Sequence, residues 1–239
     1  MSRRRIKADL AIIGAGAAGL SVAAGAAQLG LKVVLFERGE MGGDCLNTGC
    51  VPSKALLAAA EAAHAAREAG RLGVTVQGVA VDFPAVMAHV KGAVAAIAPV
   101  DSQERFEGLG CTVIRESARF AGPRAVESDS VRVDARRIVL AVGGKPAVPP
   151  LPGIEHARPL TSETVWDLET LPRRLVILGA GPIGCELGQA FARLGASVVL
   201  VDPGRALGKE DPDLAEAVLD RLRADGVELR ESARPARFE

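Results

Sequence analysis

Asp9-Leu10-Ala11-Ile12-Ile13 runs straight into Gly14-Ala15-Gly16-Ala17-Ala18-Gly19, and an Ala-rich stretch then continues to Leu29 and closes at Gly30. The first run has the length and apolarity of a buried strand, and the Ala-rich stretch is helical in composition and stops at a glycine. Lys32 to Glu37, rich in Val and Leu, reads as the next strand. Strand, glycine turn, helix and strand make the opening of a dinucleotide-binding unit, and each glycine has a reason to be there. Gly14 permits the tight turn, Gly16 lets the backbone approach a pyrophosphate, and Gly19 lets the helix pack closely on the strand. The helix start presents unpaired amides to the phosphates, and Glu37 at the end of the second strand accepts from a ribose hydroxyl.

The same order recurs. Leu175 to Leu178 lead into Gly179-Ala180-Gly181-Pro182-Ile183-Gly184, a helix closes at Leu194-Gly195, and Ser197 to Asp202 form the next strand. Glu37 follows Gly14 by 23 positions, and Asp202 follows Gly179 by 23. A separation this large is not a solenoid period but two copies of one architecture. The copies imply two dinucleotides, or one dinucleotide and a relic site. The expected fold is α/β with two Rossmann-like units. Between them, Pro52 to Gly70 and Phe83 to Gly108 read as helices, the second broken at Pro99. Cys111 to Glu116, Val131 to Val133 and Ile138 to Val142 read as short strands, with turns at Gly122-Pro123 and Asp129-Ser130. Gly143 to Pro159 reads as a linker, which puts the boundary near residue 150 and gives domains 1–150 and 151–239.

Composition narrows the functions open to such a chain. At 239 residues it has room for two ordinary domains, and 49% hydrophobic residues with 27 Gly and 14 Pro suit a packed α/β protein. Lys plus Arg and Asp plus Glu are both 29, so no overall field steers it to nucleic acid or to an anionic membrane. With 3% aromatic residues and no Tyr, it has little stacking surface for single strands. Arg3, Arg4 and Arg5 before an apolar run look superficially like a secretory leader, but Gly14, Gly16, Gly19 and Gly25 interrupt the run. No apolar stretch is read as a clean membrane span. The expectation is a cytoplasmic protein with a small-molecule substrate, no nucleic-acid partner and no membrane.

Four cysteines do not make a disulfide framework, and only Cys45 and Cys50 lie close together. Their CxxxxC spacing is poor for zinc, and two further ligands are lacking, so no metal site is expected. Two buried structural thiols are one alternative. The functional one is a disulfide that opens and closes, because Cys50 lies beside a helix N-terminus and one turn before Lys54, both of which stabilise a thiolate.

The run Gly42-Gly43-Asp44-Cys45-Leu46-Asn47-Thr48-Gly49-Cys50-Val51-Pro52-Ser53-Lys54 resembles the active-site signature of the class I pyridine nucleotide-disulfide oxidoreductases, among them dihydrolipoamide dehydrogenase, glutathione reductase and mercuric reductase. The resemblance extends from about Ala8 to Leu229. It implies that Gly14, Gly16, Gly19 and Glu37 hold FAD, and that Gly179, Gly181, Gly184 and Asp202 hold a nicotinamide dinucleotide. NADH is preferred over NADPH, because Asp202 accepts from a 2′-hydroxyl and repels a 2′-phosphate. By the same resemblance Cys45 exchanges with substrate, Cys50 lies nearest the flavin, Lys54 sits beside the flavin and Glu186 pairs with Lys54. Val142 stands where the family usually has a Thr. Pro182 replaces the aromatic lid of glutathione reductases, which favours the mercuric reductase and lipoamide dehydrogenase branches.

The implied activity passes electrons from NAD(P)H through FAD to Cys45-Cys50 and on to a disulfide or metal-ion substrate, with a homodimer expected for the full-length family member. The family's C-terminal dimerisation domain, with its His-Glu pair, has no counterpart in this sequence, and the second dinucleotide unit reads as incomplete. His64, His89 and His156 match no family acid/base. The alternative is therefore a catalytically incomplete FAD-binding fragment.

Overall fold

The computed structural model describes residues 3–238. In chain order the elements are β1 (Arg4–Ile13), α1 (Ala17–Gln28), β2 (Val33–Phe36), α2 (Gly43–Asn47), α3 (Cys50–Glu68), α4 (Phe83–Ile97), α5 (Gln103–Gly108) and β3 (Thr112–Ile114). They continue as β4 (Arg119–Gly122), β5 (Ala125–Glu127), β6 (Val131–Leu140), α6 (Ile154–Ala157), β7 (Arg174–Leu178), α7 (Pro182–Leu194), β8 (Ser197–Val201), α8 (Pro212–Ala224) and β9 (Glu228–Arg230). The fold is α/β with two sheets, one to each glycine motif.

Two compact units result: Met1–Val51 with Gly92–Lys145, and Pro52–Lys91 with Pro146–Glu239. The chain passes between the units after Val51, after Lys91 and, in the Gly/Pro-rich stretch, after Lys145, so residues 52–91 group with the second unit. The reason lies in their side chains. Phe83 packs against Phe191 with centroids 6.2 Å apart, and Arg193 pairs with Glu61 on α3 and with Asp225 after α8.

In the first unit the strand order is β3-β2-β1-β6-β5-β4, parallel from β3 to β6 and antiparallel beyond. β1 starts at Arg4 rather than Asp9, because it pairs with β6 from Arg4 opposite Val131 to Ile13 opposite Leu140. The segments expected as two strands, Val131–Val133 and Ile138–Val142, are joined in one ten-residue strand, since β1 supplies partners throughout. β4 and β5 form a hairpin over the Gly122-Pro123 turn. Ile12, Leu20, Ala23, Val33 and Leu35 pack under α1 with Phe106 and Val113, while Ala11, Val34, Phe36, Val126 and Val133 fill the other face. Both faces of β2 are thus buried, which is why its four residues read as one apolar run.

In the second unit β7, β8 and β9 are parallel and in sequence order, with α7 and α8 as their connections. Phe191, Leu194, Leu200, Leu219 and Leu222 are fully buried there. A buried ionic cluster centres on Asp225, whose side chain is 1% exposed. It accepts from Arg193 Nε at 2.8 Å, from Gln189 Nε2 at 2.7 Å and from Arg221. His64 on α3 lies against Arg221 at 2.7 Å, so it serves this packing, whereas His89 and His156 are exposed.

The expectation about membrane spans needs correction for one segment. Phe83–Gly108 is long and apolar enough by composition alone to cross a bilayer. Its backbone is not one helix, because α4 ends at Ile97, a 3-10 turn carries Pro99, and Ser102 is extended before α5. The 15 residues of α4 are about 22 Å long, short of the roughly 30 Å of a hydrocarbon core.

Candidate active site

The first glycine loop is built as its sequence requires. Gly14 has φ of 103°, a region that a side chain disfavours, and its N–H donates to Phe36 O at 2.8 Å. An added Cβ would lie 2.1 Å from Ala141 O. At Gly19 a Cβ would lie 1.8 Å from Gly14 O, so α1 rests directly on the turn. Gly16 caps α1 without any side-chain bond, leaving the first-turn amides directed outward, with no acidic residue among them. Glu37 completes the loop, its Oε2 accepting from Ala15 N and its Oε1 from Gly39 N, both at 2.7 Å.

The second loop repeats this almost atom for atom. Gly179 also has φ of 103°, and its N–H donates to Val201 O at 2.8 Å. A Cβ on Gly184 would meet Gly179 O at 2.0 Å. Gly181 is the uncapped residue before α7, and Pro182 fills the first helical position, where its missing N–H costs nothing. Asp202 accepts from Ala180 N and Gly204 N, both at 2.8 Å. Each acid therefore ties its loop to the strand, a role that sequence reasoning did not assign.

Gly42 and Gly43 have a role the sequence reading left open. Gly42 N donates to Ala15 O at 2.9 Å, and Gly42 bridges Gly16 as a short parallel pair. A Cβ on Gly43, φ 58°, would lie 2.5 Å from the Gly16 Cα. Two backbones thus cross where no side chain fits, and this crossing delivers the cysteine segment to the first loop. Asn47 then fixes α2 by donating to Met41 O at 3.0 Å and Gly43 O at 2.8 Å. Asp44 O accepts from Thr48 N at 2.9 Å and from Gly49 N at 2.6 Å, and this turn brings Cys50 back to Cys45.

Cys50 is the first residue of α3 and exposed, and Cys45 is half-buried. Their side chains are hydrogen-bonded, and that bond, with burial, pushes the Cys45 thiol up. The other two cysteines differ in kind. Burial raises the Cys111 thiol, and burial with the charge of Asp202 pushes Cys185 up to about 11, so both are packing residues. Lys54, one turn after Cys50, is ion-paired with Glu186 on α7. Among the described residues no group of three or more His, Cys, Asp or Glu side chains forms a metal cage. An open groove of about 770 Å³ on the first unit, lined by Lys7, Asp9, Lys32, Arg124 and Arg136 among others, contains none of these site residues.

The residues predicted from sequence are thus found as two glycine loops, each closed by a strand-end acid, and a cysteine pair at a helix start. The profile of the pyridine nucleotide-disulphide oxidoreductases matches residues 8–239, and the chain belongs to that family. It is 37% identical over 225 residues to a mercuric reductase of Streptomyces lividans, covering 92% of this chain and 48% of that protein. It is 34% identical over 229 residues to a dihydrolipoyl dehydrogenase of Chlamydia trachomatis, covering 92% and 48%. Among solved structures, the HOCl-induced flavoprotein disulfide reductase RclA of Escherichia coli superposes with a TM-score of 0.76 at 28% identity, over 96% of this chain and 50% of that one. The same reductase has been solved as a Cu(II) complex. The chain spans about half the length of the curated relatives it matches.

Proposed function

We propose that this chain carries the electron-transfer half of a flavin-dependent NAD(P)H-disulfide oxidoreductase, with FAD on the first loop, NADH on the second, and Cys45-Cys50 as the two-electron store between nucleotide and substrate. The observation that carries this reading is the hydrogen-bonded Cys45–Cys50 pair, delivered to the Gly14 loop by the Gly42-Gly43 crossing.

The residues fit FAD. The outward amides of α1 suit its pyrophosphate, worth up to about 2 kcal/mol from the helix dipole, and Gly16 leaves room for close approach. Glu37 suits the adenosine ribose. When bound, FAD supplies acceptance of two electrons from a reduced nicotinamide and their delivery to sulfur. In this reading the sequence domains are functional ones, 1–150 for FAD and 151–239 for the nicotinamide dinucleotide, and the Lys54–Glu186 ion pair would tune the charge that the flavin meets.

Two electrons and two protons open the Cys45-Cys50 disulfide to two thiols. A substrate disulfide re-forms it: the Cys45 sulfur attacks, a mixed disulfide forms as the first substrate thiol leaves, and Cys50 displaces the second. The raised Cys45 thiol keeps its proton until a base removes it, which makes exchange at this sulfur base-dependent. A thiophilic metal ion is the second reading, favoured by the mercuric reductases among the relatives and by the Cu(II) complex of the Escherichia coli reductase. One mercuric ion, or two copper(II) ions taking one electron each, would accept the two electrons of the dithiol while the disulfide forms and two protons leave. Homodimerisation and a cytoplasmic setting belong to the same proposal for the whole protein.

NADH preference follows from Asp202. A 2′-phosphate carrying about two charges and held about 5 Å from its carboxylate is disfavoured by roughly 1.7 kcal/mol even at the dielectric of water, about 15-fold in affinity. The test counts thiols in the denatured chain, which has four cysteines. Two thiols after mild oxidation and four after dithiol reduction support the store. Four in both states, with FAD bound, would exclude it.

A further inference from the structure

The segment after Asp202 is anchored on both sides of a single arginine. Gly204 donates to Asp202 Oδ1 at 2.8 Å and its carbonyl accepts from Ser232 N at 2.8 Å. Ala206 N donates to Glu231 Oε1, and Leu207 N to Ala180 O inside the second glycine loop, both at 2.8 Å. The backbone of Arg205 is therefore fixed beside the loop and its strand-end acid, and only its side chain has freedom. Arg205 is also the first cation after Asp202, on the stretch where dinucleotide folds place an arginine when they accept a 2′-phosphate.

That side chain is turned to α8. Arg205 donates to Glu216 Oε2 at 3.1 Å, and the other oxygen of Glu216 accepts from Arg223 at 2.6 Å. Arg223 and Arg205 together hold the Glu216 carboxyl below its ordinary range, so it is ionised wherever the nucleotide binds. The guanidinium is thus drawn off the ribose edge by a carboxylate that has no role in the loop.

We propose that Glu216 is a specificity-determining residue of the second site: by holding Arg205 on α8 it withholds a cation from a 2′-phosphate, and so deepens the preference for NADH that Asp202 sets. The inference rests on the reading of the second loop as a nicotinamide dinucleotide site. It concerns this chain's own residues and needs no turnover to test. The Arg205 and Glu216 side chains are 52% and 45% exposed. An ion pair in such a setting restrains an arginine weakly, which limits the effect to about fivefold.

The experiment measures Kd values for NADH and NADPH on the 239-residue chain by fluorescence of the bound nucleotide. Glu216→Gln is expected to tighten NADPH binding about fivefold and to leave NADH within twofold. Adding Arg205→Ala to Glu216→Gln is expected to return NADPH to the wild-type value, which separates Arg205 from Arg223, also released by the first change. The proposal fails if Glu216→Gln leaves the NADPH Kd unchanged while NADH still binds, or if the gain survives in the double variant. Absence of binding by both nucleotides to every form overturns the site reading itself and the proposal with it.

Discussion

Replacing Gly19 by Ala adds one methyl group at the tightest contact in the first unit. The new Cβ would lie 1.8 Å from Gly14 O, a backbone atom, and 3.4 Å from the Ala141 side chain. Real Cβ atoms do not approach such an oxygen within 3.0 Å, so α1 and the turn must separate by more than an ångström. No flexible side chain is there to yield. Overpacking of this kind costs about 1–3 kcal/mol, and a backbone obstacle puts the cost near 3. For a chain of this size that lowers the melting temperature by about 6–12 °C. The control sits on the same helix. Gly25 is exposed with nothing within 4 Å of its added Cβ, so Gly25→Ala is expected to stabilise by about 0.5–1 kcal/mol through helix propensity alone. Melts followed by circular dichroism, with and without FAD, read both signs, and FAD titration should show at least tenfold weaker binding for Gly19→Ala as the α1 amides move off the pyrophosphate. A Gly19→Ala protein melting within 2 °C of wild type, or a Gly25→Ala protein that falls with it, would refute the argument.

Three further outcomes follow from the site and its supports. Gly184→Ala, whose Cβ would lie 2.0 Å from Gly179 O, should lower stability like Gly19→Ala but weaken NADH rather than FAD binding, as separate titrations of the two ligands will show. With Cys50 as the sulfur nearest the flavin, its thiolate would donate into the ring, so the reduced, FAD-loaded protein is expected to show a long-wavelength absorbance band that Cys50→Ser abolishes and Cys45→Ser retains; a band persisting in Cys50→Ser reverses the assignment of the two sulfurs. At Asp225 burial raises the carboxyl, but hydrogen bonds from Arg221, Gln189 and Arg193 outweigh it and hold the group below the ordinary range. Its stabilisation is therefore full above the unfolded value near 4 and is lost as pH falls through the lower folded value. Asp225→Ala should cost about 3 kcal/mol at pH 7 and progressively less below pH 4 in urea melts, and a pH-independent difference would contradict the role given to its charge.

Both glycine loops were legible because their chemistry is local: φ of 103° at Gly14 and Gly179 and the Cβ clashes at Gly19 and Gly184 admit no other residue. The broken helix at Pro99 was legible for the same reason. The length of β1 was not. Ile6 and Ala8 alternate with Arg5 and Lys7 in burial, a period-two signal masked by the three arginines at its start. β6 was read as two strands because Asp134, Arg136 and Arg137 interrupt its apolar pattern, and only pairing with β1 along its whole length makes it continuous. The grouping of residues 52–91 with the second unit depends on Phe83, Glu61 and His64 meeting partners more than a hundred positions away, which no local pattern announces. The tying of each loop to its strand by Glu37 and Asp202 likewise needed coordinates.

The most direct test of the account is an anaerobic reductive titration of the FAD-loaded chain, counting electrons taken up per flavin. With Cys45 and Cys50 as a two-electron store, the oxidised protein should accept four electrons, two in the disulfide and two in the flavin, and Cys45→Ser should accept two. Uptake of two electrons by the wild-type protein, equal to that of Cys45→Ser, would contradict it.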